Sequence, residues 1–345
     1  MIVLGIDTSC DDTSAGVIAG GRRVLSNVVH SQVELHHPYG GVVPELASRE
    51  HLKNIVPVVR EALSRAGVRM RDLDGVAVTV GPGLVGALLV GLYYAKGISF
   101  AHNIPLVAVN HLEGHILSIF LEEEVPCFPF VALTVSGGHT SLYHVRDYGA
   151  YTQMGQTLDD AAGEAFDKVA KILGLGYPGG TIIEKMAREG NGARIKFPRA
   201  YLSSDSLDFS FSGLKTAVSL YVEKWRQGNA GNNEVLLADI AASFQESVID
   251  VLVHKVMKAR QKTCSNAVVA AGGVACNNRL RDELREAARV EGARIYYPRP
   301  EYCTDNGAMI ALAGHHRLLH GEKADLSVDV MSRYPIADLM PLHFP

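Results

Sequence analysis

The chain has 345 residues, 47% of them hydrophobic and 20% charged, with a formal net charge of −4. That is an ordinary globular composition, long enough for about two domains with sizeable cores, and its charge excludes a strong attraction to polyanions, so nucleic-acid binding would need a local basic face or a partner. The cysteines, Cys10, Cys127, Cys264, Cys276 and Cys303, are odd in number, widely spaced and free of Cys-x-x-Cys, which argues against a disulfide framework or a cysteine zinc site and fits a reducing cytosol.

The chain starts with a buried strand, Met1–Ile6, which reaches a polar turn, Asp7-Thr8-Ser9-Cys10-Asp11-Asp12-Thr13, with no basic n-region before it; this reads as structure, not as a signal peptide. Ser14–Ala19 and Val24–Ser31 read as further strands. Val42–Ala66 has helical spacing, with Leu46, Ile55, Val59 and Leu63 on or near one face. A short strand, Gly75–Thr79, ends at Gly81-Pro82-Gly83. The apolar Leu84–Ala101 run that follows is broken by glycines and Lys96, so a buried helix is expected and no membrane span. Pro105–Val109 is a strand and His111–Leu121 a helix. Phe130–Val135, the turn Ser136-Gly137-Gly138-His139-Thr140 and Ser141–Val145 then repeat the opening pattern, which implies two related α/β halves with a cleft between them. Gln156–Gln261 reads as mostly helical, interrupted at Gly190–Ser212. Asn266–Ala271 and Ile295–Tyr297 read as strands, Asn277–Glu291 as a helix, and Thr304–His316 as a helix with Thr304 as N-cap. Ala324–Pro345 reads as an extended tail.

The sharpest local signal is His111-Leu112-Glu113-Gly114-His115. Residues four apart share a helix face, so both imidazoles can reach one metal ion; the plain alternative is two histidines that cap the helix or face solvent. A zinc-protease helix places its glutamate directly after the first histidine. Here Glu113 is two residues on, and at roughly 100° per residue it projects almost opposite the histidines, which argues against a metalloprotease. A carboxylate as third ligand would give a two-His, one-carboxylate site suited to iron(II) or another divalent ion. Asp305, at a strand-to-helix turn, is one candidate, although taken alone it reads more readily as a first-turn aspartate facing the helix dipole.

Three turns have anion-binding character. Val135–Thr140 pairs adjacent glycines with hydroxyl side chains, as a phosphate loop or as an ordinary hairpin. The acidic Asp7–Thr13 turn fits a metal, a water or a ribose better than bare phosphate. Gly272-Gly273-Val274-Ala275-Cys276-Asn277 follows a strand and opens a helix, where nucleotides bind in α/β proteins. The charged run Gly163–Lys168 and the glycine-dense Gly174–Gly180 loop, followed by a helix containing Glu184, complete the set; the loop could wrap a sugar or a base or be a connector.

These runs, together with Gly40–Glu45, Gly81–Leu84, Thr157–Lys168, Phe209–Thr216 and Thr304–Ala308, resemble the tRNA N6-adenosine threonylcarbamoyltransferase family, formerly described as O-sialoglycoprotein endopeptidases. The match runs in order along almost the whole chain. Two departures stand out: Asp7 and Asp12 replace glutamates of the family's first turn, keeping the charge with a shorter reach, and Cys276 replaces an alanine.

The resemblance implies two duplicated actin-like or Hsp70-like lobes around a nucleotide cleft. The first is 1–128, completed by the C-terminal helix 304–325; the second is 129–303 with a helical insertion at about 156–262; 326–345 is the tail. It implies that His111, His115 and Asp305 hold one divalent metal, taken as iron(II), with zinc or magnesium as alternatives. It implies that Thr134, Val135, Ser136, Gly137, Gly138, Asp167, Gly180 and Asn277, with Glu184, Gly272 and Gly273 as neighbours, bind threonylcarbamoyl-AMP or an ATP-type nucleotide. Asp11 or Asp12 is a candidate base for the adenosine amine. The expected partners are tRNA, a homologous actin-like subunit and a small ATPase, in the cytoplasm. For tRNA, Arg188, Arg194, Lys196 and Arg199 form one basic group and Lys255, Lys258, Arg260 and Lys262 another, the latter equally a solvated helix surface. The competing functions are a metalloprotease, a non-catalytic nucleotide-binding scaffold and a small-molecule carbamoyltransferase.

Overall fold

The computed structural model describes residues 1–203, 205–228 and 235–339. The chain divides into two units: Met1–Val125 with Val145–Tyr151 and the chain from Pro298 onward, and Pro126–His144 with Thr152–Tyr297.

The first unit is built on β1 (Ile2–Asp7), β2 (Asp12–Ala19), β3 (Arg23–Ser31), α1 (Val33–His36), α2 (Pro44–Ala66), β4 (Gly75–Gly81), α3 (Val85–His102), β5 (Leu106–Asn110) and α4 (His111–Leu117). Its sheet runs β3-β2-β1-β4-β5. β1, β2 and β3 pair antiparallel; β4 is parallel to β1 and β5 to β4. β1 is apolar almost throughout because both faces are covered. Alternate side chains go to different cores: Leu4 and Ile6 pack with α2 and α3 residues such as Val59 and Leu92, while Val3 packs with Ala77, Val107 and residues 308–313. On α2 the buried stripe is Ala47, His51, Ile55, Val58, Val59, Ala62 and Leu63; Leu46, expected on that face, is only half-buried.

The second unit contains β6 (Phe130–Val135), most of β7 (Thr140–Asp147) and of β8 (Ala150–Gln156), α5 (Ala162–Leu173), α6 (Gly179–Ala187), α7 (Ser212–Arg226), α8 (Leu237–Thr263), β9 (Ala267–Ala271), α9 (Asn278–Val290) and β10 (Arg294–Tyr296). Its order is β10-β9-β6-β7-β8. Read from the other edge, β6 to β10 occupy the places of β1 to β5, so the repeat seen at Phe130 extends to the whole sheet. The strand β8 was not legible as such, because Ala150–Gln156 carries little β-branched or aromatic content beyond Tyr151. The stretch read as mostly helical holds α5 to α8; Ser204 and 229–234 within it lie outside the described residues.

The chain then returns to the first unit with α10 (Pro300–Cys303) and α11 (Gly307–Leu319). The N-cap of α11 is Asn306, whose side chain accepts from the Met309 N–H, and not Thr304 as expected. Asn and Thr are both good caps, and the Pro300 turn already takes up the backbone through Thr304 N–H. The tail is pinned, not loose: Ala324 N–H donates to Leu106 O and Met331 N–H to Val80 O, both at 2.8 Å, and Lys96 Nζ donates to Val328 O at 2.5 Å. Residues 340–345 of the expected tail lie outside the described residues. Among the described residues, no helix is long and apolar enough to cross a membrane.

Candidate active site

Asn110 ends β5 and caps α4, accepting from Leu112 N–H at 2.9 Å and Glu113 N–H at 3.3 Å. The helix therefore begins at His111, and His111 and His115 lie one turn apart with ring centroids 4.7 Å from each other. Asp305 comes from the loop before the Asn306 cap, so it is not a first-turn aspartate. Its Oδ1 lies 3.1 Å from His115 Nε2 and 3.5 Å from His111 Nε2. The three ligand atoms fall within 4.8 Å of one another. Two ligands each about 2.1 Å from a shared centre and 90–110° apart stand roughly 3.0–3.4 Å from each other, so the two distances from Asp305 fit one ion. Both histidines are buried, whereas the Asp305 side chain is 22% exposed, which leaves that side open to solvent.

The far edge of His111 is also fixed. Its Nδ1 lies 3.1 Å from Asp7 Oδ2 and 3.2 Å from Ser9 Oγ. With Nδ1 facing the Asp7 carboxylate, Nε2 faces Asp305, and either a proton or a metal cation can stand between them. Without an ion, the carboxylates around His111 favour a proton on the ring, the place a metal cation would take. Burial opposes a charged His111, yet the Asp7 and Asp305 carboxylates outweigh it and hold the imidazole well above its usual range. Burial likewise pushes Asp305 up, and the two imidazoles draw it well below the usual carboxylate range. Sequence reasoning placed Asp7 only in an acidic turn; nothing local ties it to a histidine a hundred residues on.

Asp11 and Asp12 enter the same turn. Asp11 is half-buried and its carbonyl accepts from Gln32 N–H at 3.0 Å. Asp12 opens β2, and its carboxyl is raised to about 8 by burial first and by Asp305 and Asp11 next. Such a group holds its proton at neutral pH until a nearby cation lowers it.

Glu113 points away from the histidines, as its helical phase requires: its carboxylate meets Arg317 and Tyr151. No water-activating base stands beside the triad from this helix.

The remaining predicted residues belong to the second unit. Thr134 and Val135 are buried in β6, so only their backbone could meet a ligand, whereas Gly137 and Gly138 are exposed. The turn is closed by Ser136 N–H to His139 O at 2.8 Å and by His139 N–H to Ser136 Oγ at 3.2 Å. Gly272 has φ +100, and a Cβ there would lie 2.8 Å from the Val135 carbonyl carbon, so this position brings the Gly272-Gly273 turn against the Ser136 turn. Asp167 accepts from Gly179 N–H at 2.7 Å, leaving Gly180 with open space around it. Asn277 caps α9 and donates to Gln245 Oε1 at 2.9 Å. Glu184 accepts from the Asn278 side chain at 2.7 Å and borders an open cavity of about 600 Å³ that Arg188, Gln245, Glu246 and Arg279 also line.

The two basic groups differ. Lys255 is fully buried and donates to Tyr201 O and Ser206 O, both at 2.6 Å. Arg260 holds Ser265 O and Glu291, and Lys262 holds Asp205 O. Burial takes Lys255 out of the expected tRNA face and out of a solvated surface, while Lys262 is exposed. In the other group, Arg188 pairs with Glu184 and Arg199 with Asp250, while Arg194 and Lys196 are exposed.

A family model described as tRNA N6-adenosine threonylcarbamoyltransferase matches residues 23–312. A protein of that name from Syntrophus aciditrophicus (strain SB) is 52% identical over 336 residues, covering 97% of this chain and 98% of its own. Another from Clostridioides difficile (strain 630) is 49% identical over 336 residues, with the same coverage of 97% and 98%. Solved structures share the fold at low identity. The (R)-2-hydroxyglutaryl-CoA dehydratase component A of Acidaminococcus fermentans superposes with a TM-score of 0.54 at 17% identity, over 91% of this chain and 96% of that one. HypF of T. kodakarensis gives 0.59 at 13% identity, over 93% of this chain and 48% of that one.

Proposed function

The chain belongs to the tRNA N6-adenosine threonylcarbamoyltransferase family, and from that premise we propose that it takes the threonylcarbamoyl group from threonylcarbamoyl-AMP and transfers it to N6 of the adenosine next to the anticodon, in tRNAs reading codons that start with A. The amine nitrogen bonds to the carbamoyl carbon, the bond from that carbon to the phosphate oxygen breaks, AMP leaves, and the amine proton passes to a base.

The observation that carries the assignment of the reacting centre is the convergence of His111, His115 and Asp305, with Asp7 behind His111. These residues would hold one divalent ion, iron(II) by the donor set, with zinc or magnesium as alternatives. Bound there, the ion supplies a Lewis acid for the carbamoyl oxygen or a counter-charge for the leaving phosphate. The chain's own groups do the rest. Asp7 fixes the tautomer and orientation of His111. In the Ser136-Gly137-Gly138 turn the Ser136 N–H is taken by His139 O, so the Gly137 and Gly138 N–H groups donate to the adenylate, and the Asp167, Gly180, Glu184 and Asn277 region, with Gly272 and Gly273, accommodates its nucleoside. Asp11 or Asp12 accepts the amine proton. We read the two units as duplicated lobes, 1–128 with the C-terminal helix and 129–303.

The overall acidity supports tRNA binding shared with other subunits, a homologous actin-like protein and a small ATPase, in the cytoplasm. Arg194 and Lys196 are the local contribution to tRNA in this reading. The protease alternative fails on geometry, since Glu113 is engaged by Arg317 on the far side of α4.

The test is single-turnover transfer from threonylcarbamoyl-AMP to unmodified tRNA by wild type and His115→Ala, with metal content measured on both. Product from the wild type, and joint loss of product and metal in the variant, are expected. Full transfer by a folded, metal-free variant would remove the ion from the reaction.

A further inference from the structure

Two of the three metal donors sit on α4 and the third just before α11, so the spacing of the triad depends on how α4 seats on α11. Two contacts hold that seat. At Gly114 a Cβ would lie 2.9 Å from Ile310 Cδ1 and 3.2 Å from Met309 Cγ, so the helices approach closely there. On the same turn Glu113 meets Arg317 in a two-pronged pair, Oε2 to Nε at 2.7 Å and Oε1 to Nη2 at 2.8 Å. Tyr151 donates its hydroxyl to Glu113 Oε1 at 3.0 Å, and Glu322 takes the remaining prong of Arg317 at 2.6 Å. Glu113 and Arg317 are 1% and 4% exposed.

A buried pair of this kind adds little net stability over an apolar contact of the same shape. What the planar guanidinium fork adds is orientation. Glu113 lies midway between the two histidines in sequence and projects from the opposite face of α4. Any rotation of α4 about its axis that swings the imidazoles relative to Asp305 must also pull the carboxylate off the fork. An apolar side chain at 113 would leave that rotation free.

We propose that Glu113, Arg317 and Tyr151 form a positioning clamp that fixes the rotation of α4 on α11, and through it the distance of the His111 and His115 donors from Asp305. None of the three touches the reacting groups. The inference rests on the metal reading above, and it accounts for the one glutamate of the His111–His115 segment that the metal does not use.

The experiment is Co²⁺ binding to the metal-free full-length protein, read as affinity by chelator competition and as the visible absorption of the bound ion, with the melting temperature of the metal-free form beside it. The variants are Tyr151→Phe, Arg317→Lys and the neutral pair Glu113→Gln with Arg317→Met. The neutral pair is expected to melt near the wild type yet to bind Co²⁺ about 10–100-fold more weakly, with an altered spectrum. Arg317→Lys, which keeps the charge and loses the fork, should fall between. Wild-type affinity and spectrum in these variants, whatever their melting temperatures, would make the pair a structural contact only and overturn the clamp. Should the neutral pair fail to fold, Arg317→Lys and Tyr151→Phe decide by the same criterion. If Co²⁺ binding by the wild type is untouched by His111→Ala, the metal reading itself falls and takes the clamp with it, an outcome distinct from a clamp failure.

Discussion

Replacing Gly16 by alanine tests whether the seat of α11 on the sheet sets the position of Asp305. Gly16 pairs with Gly5 across β1 and β2, and Gly307 begins α11 directly over them. A Cβ at Gly16 would lie 2.7 Å from the Gly307 carbonyl carbon and 2.8 Å from Ala308 Cα. Carbons in contact stand about 3.5–4.0 Å apart, so the start of α11 must retreat by roughly 1 Å. Asp305 lies two residues upstream, with its Oδ1 3.1 Å from His115 Nε2. Metal–ligand distances tolerate only about 0.2 Å. Overpacking of this kind costs about 1–3 kcal/mol, or roughly 2–12 °C of melting temperature for a body of this size. A 1 Å misplacement of a catalytic group costs on the order of 100-fold in rate. The assay is single-turnover transfer with metal content and melting temperature on the same preparations. Gly97→Ala serves as control, because a Cβ there meets nothing within 4 Å. A Gly16→Ala protein that melts lower but keeps wild-type metal affinity and rate would refute the reasoning, since α11 could then move without carrying Asp305.

Two further outcomes follow from the loops. Asn306 accepts from Met309 N–H at 2.9 Å and donates to Thr304 O at 2.8 Å, bracketing Asp305; Asn306→Ala should cost about 1–2 kcal/mol in denaturant unfolding and weaken metal binding, and unchanged metal affinity would count against the bracket. Asp159 receives bonds from Ser210 Oγ, Phe211 N–H, Ser212 N–H and Ser212 Oγ at the start of α7. Burial pushes its carboxyl up, but these bonds outweigh it and hold the group below its ordinary value of 3.8. A folded-state value below the unfolded one gives stability that is complete above about 3.8 and fades as pH falls through the folded value. Asp159→Asn should therefore melt lower than wild type at pH 7, with the gap closing below about pH 4; a gap constant from pH 7 to pH 3 would exclude the carboxylate as its source.

Much of this molecule was legible without coordinates. The apolar runs of β1, β4, β6 and β9 give buried strands because both faces of each sheet are covered, and the second start at Phe130 announced a repeated sheet order. The helical phase of His111, Glu113 and His115 is a local property, so it placed two imidazoles together and the carboxylate opposite. Boundaries set by competing caps were misjudged, as at Thr304 and Asn306. The α8 lysines and arginines read as a tRNA face or a solvated surface, because burial of Lys255 under the Tyr201–Ser206 segment is a contact across some fifty residues that leaves no periodic trace.

The sequence by itself determined which residues can bind a metal, because ligand chemistry and i,i+4 spacing reside in the residues and in one turn of helix. It also carried the family, through motifs in order along the chain. The resemblance named Asp305 as the carboxylate; only the tertiary structure showed it 3.1 Å from His115, Asp7 3.1 Å behind His111, and Arg317 on Glu113. Those partners lie about a hundred to two hundred residues apart. They meet because α11 packs across β1, β4 and β5 of one sheet, an adjacency created by burying apolar faces that do not record which polar groups they bring together.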